Sequence, residues 1–359
     1  MLSIIYYISG HGYGHTIRSV ALMDALAKAR PDCFFHIRTS TPPWLVREMS
    51  HTSCKIYDIP VDVGTVQSDS FRLNRGATLQ ACQRFFTGLD SMIEKEAGFA
   101  ESVGARLIIG DVPPLAFEAA FRAQLPSVAL ANFTWDWIYV PYLSTHPDFQ
   151  DIIHSIKEAY RKADLLLRLP FHGEMAAFQR VQDIPLIARR ARRSSTEVRR
   201  SLGLADEETP LVLIALRPDD LQAVQLHRLA AISGYRFILL KGTHGDRRFV
   251  YVEPNEYYYP DLINAADVVV SKLGYGIVAD CLAHCRPLVY IPREDFVEHE
   301  VLVEGINRCG VASELSYEDF LQGNWQEALD EVSLKSWRSE GIALNGAEVA
   351  AEHVLGMLE

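Results

Sequence analysis

Several features missing from this 359-residue chain each remove a class of function. No run of about 18 apolar residues occurs, so no segment reads as a membrane span. The opening MLSIIYYISGHGYGH lacks a basic start and reads as a buried first strand, not a leader peptide. No Cys-x-x-Cys pair occurs among Cys33, Cys54, Cys82, Cys281, Cys285 and Cys309. Cys281 and Cys285 stand i,i+4 without a matching His or Cys pair, so they read as buried reduced thiols. Reduced thiols suit a reducing compartment, and a cytoplasmic location is expected. No Asp-x-Asp triplet occurs, so a metal-bridged diphosphate is not indicated and no metal or cofactor is expected. Internal repeats and low-complexity segments are also absent.

What is present is the composition of a globular protein, 48% hydrophobic and 23% charged. The net charge of -11 is unevenly spread. Residues 188–200 hold six Arg against one Glu, whereas 201–359 are strongly acidic. A mostly acidic surface argues against nucleic acid as a partner. The basic stretch reads as a solvated linker into a helix, with peripheral membrane contact as the alternative.

Short apolar runs alternate with helical patterns, which argues for parallel sheets covered on both faces. Strands are expected at 4–8, 34–38, 106–109 and 127–130, then at 211–216, 237–240, 268–271 and 288–291. Helices are expected at 16–29, 75–100, 116–124, 275–284 and 346–358. The fold class is therefore α/β, two Rossmann-like doubly wound domains facing a cleft. The boundaries read as 1–187, a basic linker 188–208, a second domain 209–340 and a closing helix 341–359. Oligomeric state is not legible.

Candidate chemistry falls where strands end. GHGYGHTIR (10–18) opens the first helix, and Gly12 and Gly14 allow close approach of a ligand to free backbone N–H groups. His15 stands at the helix mouth, where an imidazole can take a proton from a hydroxyl near neutral pH. SKLGYGIVAD (271–280) repeats the arrangement in the second half. There Gly274, Tyr275 and Gly276 offer backbone to a diphosphate, Lys272 opposes its charge, and Asp280 is placed to meet a ribose. Glu298, His299 and Glu300 follow the next strand and are candidates for sugar hydroxyls. Asp111 in GDVPP and Asp136 in NFTWDWIY (132–139) are the remaining catalytic candidates; an unpaired Asp136 is costly to bury. Arg217, in the loop Leu216-Arg217-Pro218-Asp219, either stabilises a departing diphosphate or belongs to a loop that excludes the usual donor pose.

Together these stretches resemble the GT-B superfamily of glycosyltransferases, and within it the glycosyltransferase-like N-terminal region of plant L-arabinokinases. The resemblance also rests on VGTVQSDS (63–70), RLP (168–170), IPLIARR (184–190), REDFVEHEVL (293–302) and GIALNGAEVAAEHVL (341–355). A remoter likeness is to the bacterial lipid-linked N-acetylglucosaminyltransferase, whose ribose-binding Glu falls on Asp280. The resemblance implies an inverting transfer from a nucleotide-diphosphate sugar, by default a UDP-sugar, to an acceptor hydroxyl, with His15 as base. Two alternatives stay open: a sugar-nucleotide hydrolase, whose G-x-G-H-x-x-R loop Gly12, Gly14, His15 and Arg18 match, and a non-catalytic nucleotide-sugar-binding regulatory module.

Overall fold

The computed structural model describes residues 1–50, 52–204, 208–242, 246–253, 256–337 and 341–358. The first sheet contains β1 (Leu2–Ile8), β2 (Cys33–Thr39), β3 (Cys54–Asp58), β4 (Leu107–Asp111), β5 (Ser127–Ala131), β6 (Leu165–Arg168) and β7 (Val181–Asp183). Their order is β3-β2-β1-β4-β5-β6-β7. The second sheet contains β8 (Leu211–Ile214), β9 (Arg236–Leu240), β10 (Phe249–Val252), β11 (Val268–Lys272), β12 (Leu288–Ile291) and β13 (Ala312–Glu314), ordered β10-β9-β8-β11-β12-β13. Every pair is parallel. Each strand order reverses once, between β1 and β4 and between β8 and β11. Open α/β sheets bind ligands at the carboxyl edge of such a reversal.

The central strands are apolar along their whole length because helices cover both faces; all seven residues of β1 are buried. The expected helix 75–100 is two, Arg75–Thr87 and Leu89–Ser102, broken at Gly88, a poor helix former. The first helix begins at Tyr13, three residues before the periodicity suggests.

The chain crosses between the sheets twice. The last helix, Gly346–Gly356, packs on the first, Tyr13–Ala29, and its Ala350, Ala351 and Val354 share an apolar cluster with Leu22 and Leu26. The two crossings are hydrogen-bonded to each other: Leu186 N donates to Ala343 O at 3.0 Å and Gly346 N to Leu186 O at 3.2 Å.

The basic stretch leads into the helix Ser195–Ser201, capped reciprocally by Ser194 and Glu197. Arg190, Arg192, Arg193 and Arg200 are exposed, while Arg189 and Arg199 are half-buried. Arg189 pairs with Asp280, Arg192 and Arg193 lie over the Tyr258 and Tyr257 rings, and Arg199 pairs with Asp267. Four of its six arginines are thus engaged within the fold. Among the described residues no helix is long and apolar enough to cross a membrane.

Candidate active site

At the first reversal, β1 ends in a loop whose Gly12 has φ +88°, a conformation that favours glycine. The turn starts the helix so that His15, Arg18 and Ser19 face the end of β4. There Asp111, fully buried, accepts four hydrogen bonds. His15 Nδ1 lies 2.8 Å from Oδ1, Arg18 Nη2 donates to Oδ1 at 2.6 Å, Arg18 Nε donates to Oδ2 at 2.7 Å, and Ser19 Oγ donates to Oδ2 at 3.0 Å. Burial alone would raise the Asp111 pKa, but the charges and hydrogen bonds of Arg18 and His15 prevail and bring it to about 2. An ionised Asp111 accepts the Nδ1–H of His15, which leaves the lone pair on Nε2. The next residue, Val112, has φ +79°, a strained value for a β-branched residue.

The network continues across the domains. Arg18 Nη1 donates to Asn132 Oδ1 at 2.5 Å, and Asn132 Nδ2 donates to Glu298 Oε1, in the second domain, at 2.7 Å. Beside it, half-buried Asp62 accepts from Trp135 Nε1 at 2.9 Å; desolvation raises its pKa against the opposing hydrogen bonds of Ser9 and Trp135. His11 is held to the 63–67 loop by Thr65 N at 3.3 Å and Thr65 Oγ1 at 3.1 Å. Burial, then the neighbouring charges of His15, Arg293 and Lys272, drive the His11 pKa down to about 3 and keep it neutral.

At the second reversal Lys272 closes β11, directly before the Gly274 cap of the helix Tyr275–Ala283. Burial first, and the positive charges of Arg293 and Arg217 next, lower the Lys272 pKa to about 7. Arg293 is likewise lowered by burial to about 10, with Glu298 opposing and Arg217 assisting. Among the described residues Lys272 has no hydrogen-bonded or ion-pair partner. Lys272 and Arg293 thus feel each other and the exposed Arg217, with Asp220, Asp69 and Glu298 offsetting only part of that positive charge beside the helix start.

The two reversals face one another. The Arg18 guanidinium lies 5.5 Å from the Tyr275 ring centroid, and a Cβ added at Gly276 would come 3.8 Å from Gly14 Cα. A void of about 10 Å³ lies behind this contact, between Ile17, Ala21, Ile187 and Ala279. Such a space holds about one water.

Four expected site residues sit differently. Asp280 is buried and bound by the linker: Oδ2 accepts from Arg189 Nε at 3.0 Å and from Nη2, and Oδ1 accepts from Arg189 N at 3.1 Å. Both its oxygens thus already hold hydrogen bonds within a buried ion pair. Asp136 is turned toward the helix Phe149–Arg161, where Lys157 acts on it; burial raises its pKa and Oδ1 has no partner. His299 packs against Tyr290 at 5.9 Å and responds to Glu314, on the β12–β13 side. Glu300 is exposed. Asp62 and Asn132 join the site without having been singled out, and Arg18 and Arg293, noted only in a motif match and a charged loop, take defined places in it. Arg18 was visible in the first motif, and Asp62 as a lone carboxylate in the apolar, glycine-bearing stretch after β3.

Two facing doubly wound sheets, with the last helix returned to the first domain, define the GT-B fold of glycosyltransferases. In sequence the chain is similar to L-arabinokinase of Arabidopsis thaliana, 32% identical over 367 residues that cover 99% of this chain and 34% of that protein. The chain therefore spans about a third of the length of this curated relative. Among solved structures it superposes on the glycosyltransferase of kitacinnamycin with a TM-score of 0.66 and 15% identity, covering 99% of both chains. A UDP-glucosyltransferase from Polygonum tinctorium capable of glucosylating indoxyl gives 0.63 and 14%, covering 99% of this chain and 93% of that one. No protein-family model matches the chain.

Proposed function

We propose that this chain transfers a sugar from a nucleotide-diphosphate donor to an acceptor hydroxyl with inversion. The observation that carries the reading is the confrontation of two switch points: a carboxylate-oriented imidazole at one, and Arg217, Lys272 and Arg293 beside a helix start at the other. His15 Nε2 takes the acceptor proton as the acceptor oxygen attacks the anomeric carbon. The bond from that carbon to the donor oxygen breaks, and the nucleoside diphosphate leaves with the electron pair. Asp111 steadies the imidazolium, while the three cations and the Gly274–Gly276 amides oppose charge on the leaving group. In this reading side-chain cations serve where other sites use a metal. A uridine diphosphate donor is taken from the structural likeness to a UDP-glucosyltransferase.

A thermal-shift panel of nucleotides and nucleotide sugars tests the donor, since a ligand at 100 times its dissociation constant adds roughly 2.7 kcal/mol. Sugar transfer in the presence of acceptor pools supports the proposal. Sugar release to water alone would assign the chain as a hydrolase, and tight binding without turnover would assign it as a regulatory module.

A further inference from the structure

The segment between β3 and the helix Arg75–Thr87 leaves the first sheet and crosses the cleft. In it, SDSFRLN carries only Phe71 and Leu73 as apolar side chains among polar neighbours, a pattern that ordinarily leaves the ring in solvent. Phe71 is instead 4% exposed, and it belongs to the core of the second domain. Its ring centroid lies 5.2 Å from that of Tyr317 and 5.5 Å from that of Phe320. Asp69 Oδ1 locks the turn by accepting from Phe71 N at 2.7 Å and Arg72 N at 2.9 Å. Around the seated ring, Glu294 N donates to Phe71 O at 3.0 Å and Arg75 Nη2 pairs with Asp295 at 2.6 Å.

One contact in this set bears on ligand binding. Arg293 Nε donates to Ser70 O at 3.2 Å, and the guanidinium lies 3.1 Å from the Phe296 ring centroid. Among the described residues Arg293 has no ion-pair partner. A half-buried guanidinium fixed by a carbonyl and a ring keeps donors free for an anion. The first domain thus sets the position of a cation that faces Lys272 in the second.

We propose that Arg293 binds the diphosphate directly and that Phe71 is its positioning residue, so that seating of the strap 67–75 completes the anion site only when the domains are closed. This rests on the reading of the second switch point as the diphosphate site. Arg293 contacts phosphate oxygens; Phe71 contacts no ligand and acts through Ser70.

Titration calorimetry with inorganic pyrophosphate on the full chain tests both roles. Arg293→Gln and Phe71→Ala each weaken binding by about tenfold or more. The double variant weakens it by the same factor and not by the product, because Phe71 acts through Arg293. Arg293→Lys recovers part of the loss. Unchanged affinity in Arg293→Gln overturns its role as a ligand, and multiplicative losses in the double variant overturn the coupling. Should Phe71→Ala fail to fold, Tyr317→Ser removes one wall of the same socket and replaces it in the cycle. Pyrophosphate binding by the wild type without any binding of a nucleoside diphosphate would sink the sugar-nucleotide reading and leave the strap proposal standing.

Discussion

Asn132 and Glu298 join the two domains through one side-chain hydrogen bond, and the same Asn132 amide accepts from Arg18. An uninterrupted chain of contacts, Asp111–Arg18–Asn132–Glu298, therefore runs from the carboxylate that holds the proposed base to the donor side. Asn132→Ala leaves an Arg18 donor and a Glu298 acceptor unmet and is expected to cost about 1–3 kcal/mol. Glu298→Gln keeps an acceptor oxygen and costs less. Urea melts of the two variants decide the order; equal losses would mean that the bond contributes nothing beyond the charge.

His15→Ala is expected to lower turnover by about 10²-fold or more while leaving nucleotide affinity within about twofold. Single-turnover rates and direct titration separate the two quantities. A parallel loss of both would assign His15 a structural role.

Asp111→Ala strands a buried guanidinium and is expected to cost about 3–5 kcal/mol, more than His15→Ala. The wild type also loses stability in acid. Asp111 titrates at about 2 when folded, below its ordinary 3.8, so its contribution is present above 3.8 and disappears as pH falls toward 2. Denaturant melts from neutral pH into acid on wild type and Asp111→Asn measure it; the variant lacks this component.

Lys272 behaves in the opposite sense. Its pKa falls from 10.5 to about 7 on folding, so between those values the unfolded chain holds the extra proton and stability rises with pH. Below about 7 the penalty is fully present. Lys272→Met is therefore expected to gain stability over wild type most at or below neutral pH, with the difference closing toward 10.5. A bound diphosphate restores the ammonium, so binding near pH ~8 takes up a proton. Titration heats in buffers of different ionisation enthalpy count that proton, and Lys272→Met abolishes it.

Arg189 and Asp280 form a buried pair that ties the linker to the donor helix. Breaking it with Asp280→Ala is expected to cost about 3–5 kcal/mol, whereas Arg189→Met together with Asp280→Leu recovers much of the loss. If Asp280→Ala instead weakens nucleoside binding and leaves the melting curve unchanged, the carboxylate serves the ribose after all.

The fold was legible because parallel strands covered on both faces need continuous apolar runs, and β1, β4, β5, β8, β11 and β12 have them. The edge strands β3 and β7 are half or fully exposed and leave no such run, and β6, β10 and β13, each only three or four residues long, were passed over as well although β6 is apolar and buried. His15, Asp111 and Lys272 were legible because they stand where a strand ends. The roles of Asn132, Arg293 and Asp280 depend on partners 166, 223 and 91 positions away, brought together only by domain packing. Periodicity carries no trace of such pairings.

The paired crossings at Leu186 and Ala343 have a mechanical consequence. Two segments zipped side by side behave as a single pivot, so relative motion of the lobes reduces to a swing about that seam. The helices nearest the seam barely separate during such a swing, and travel grows with distance from it. Because the Phe71 ring is seated in the second domain's core, such a swing has to draw it away from Tyr317 and Phe320.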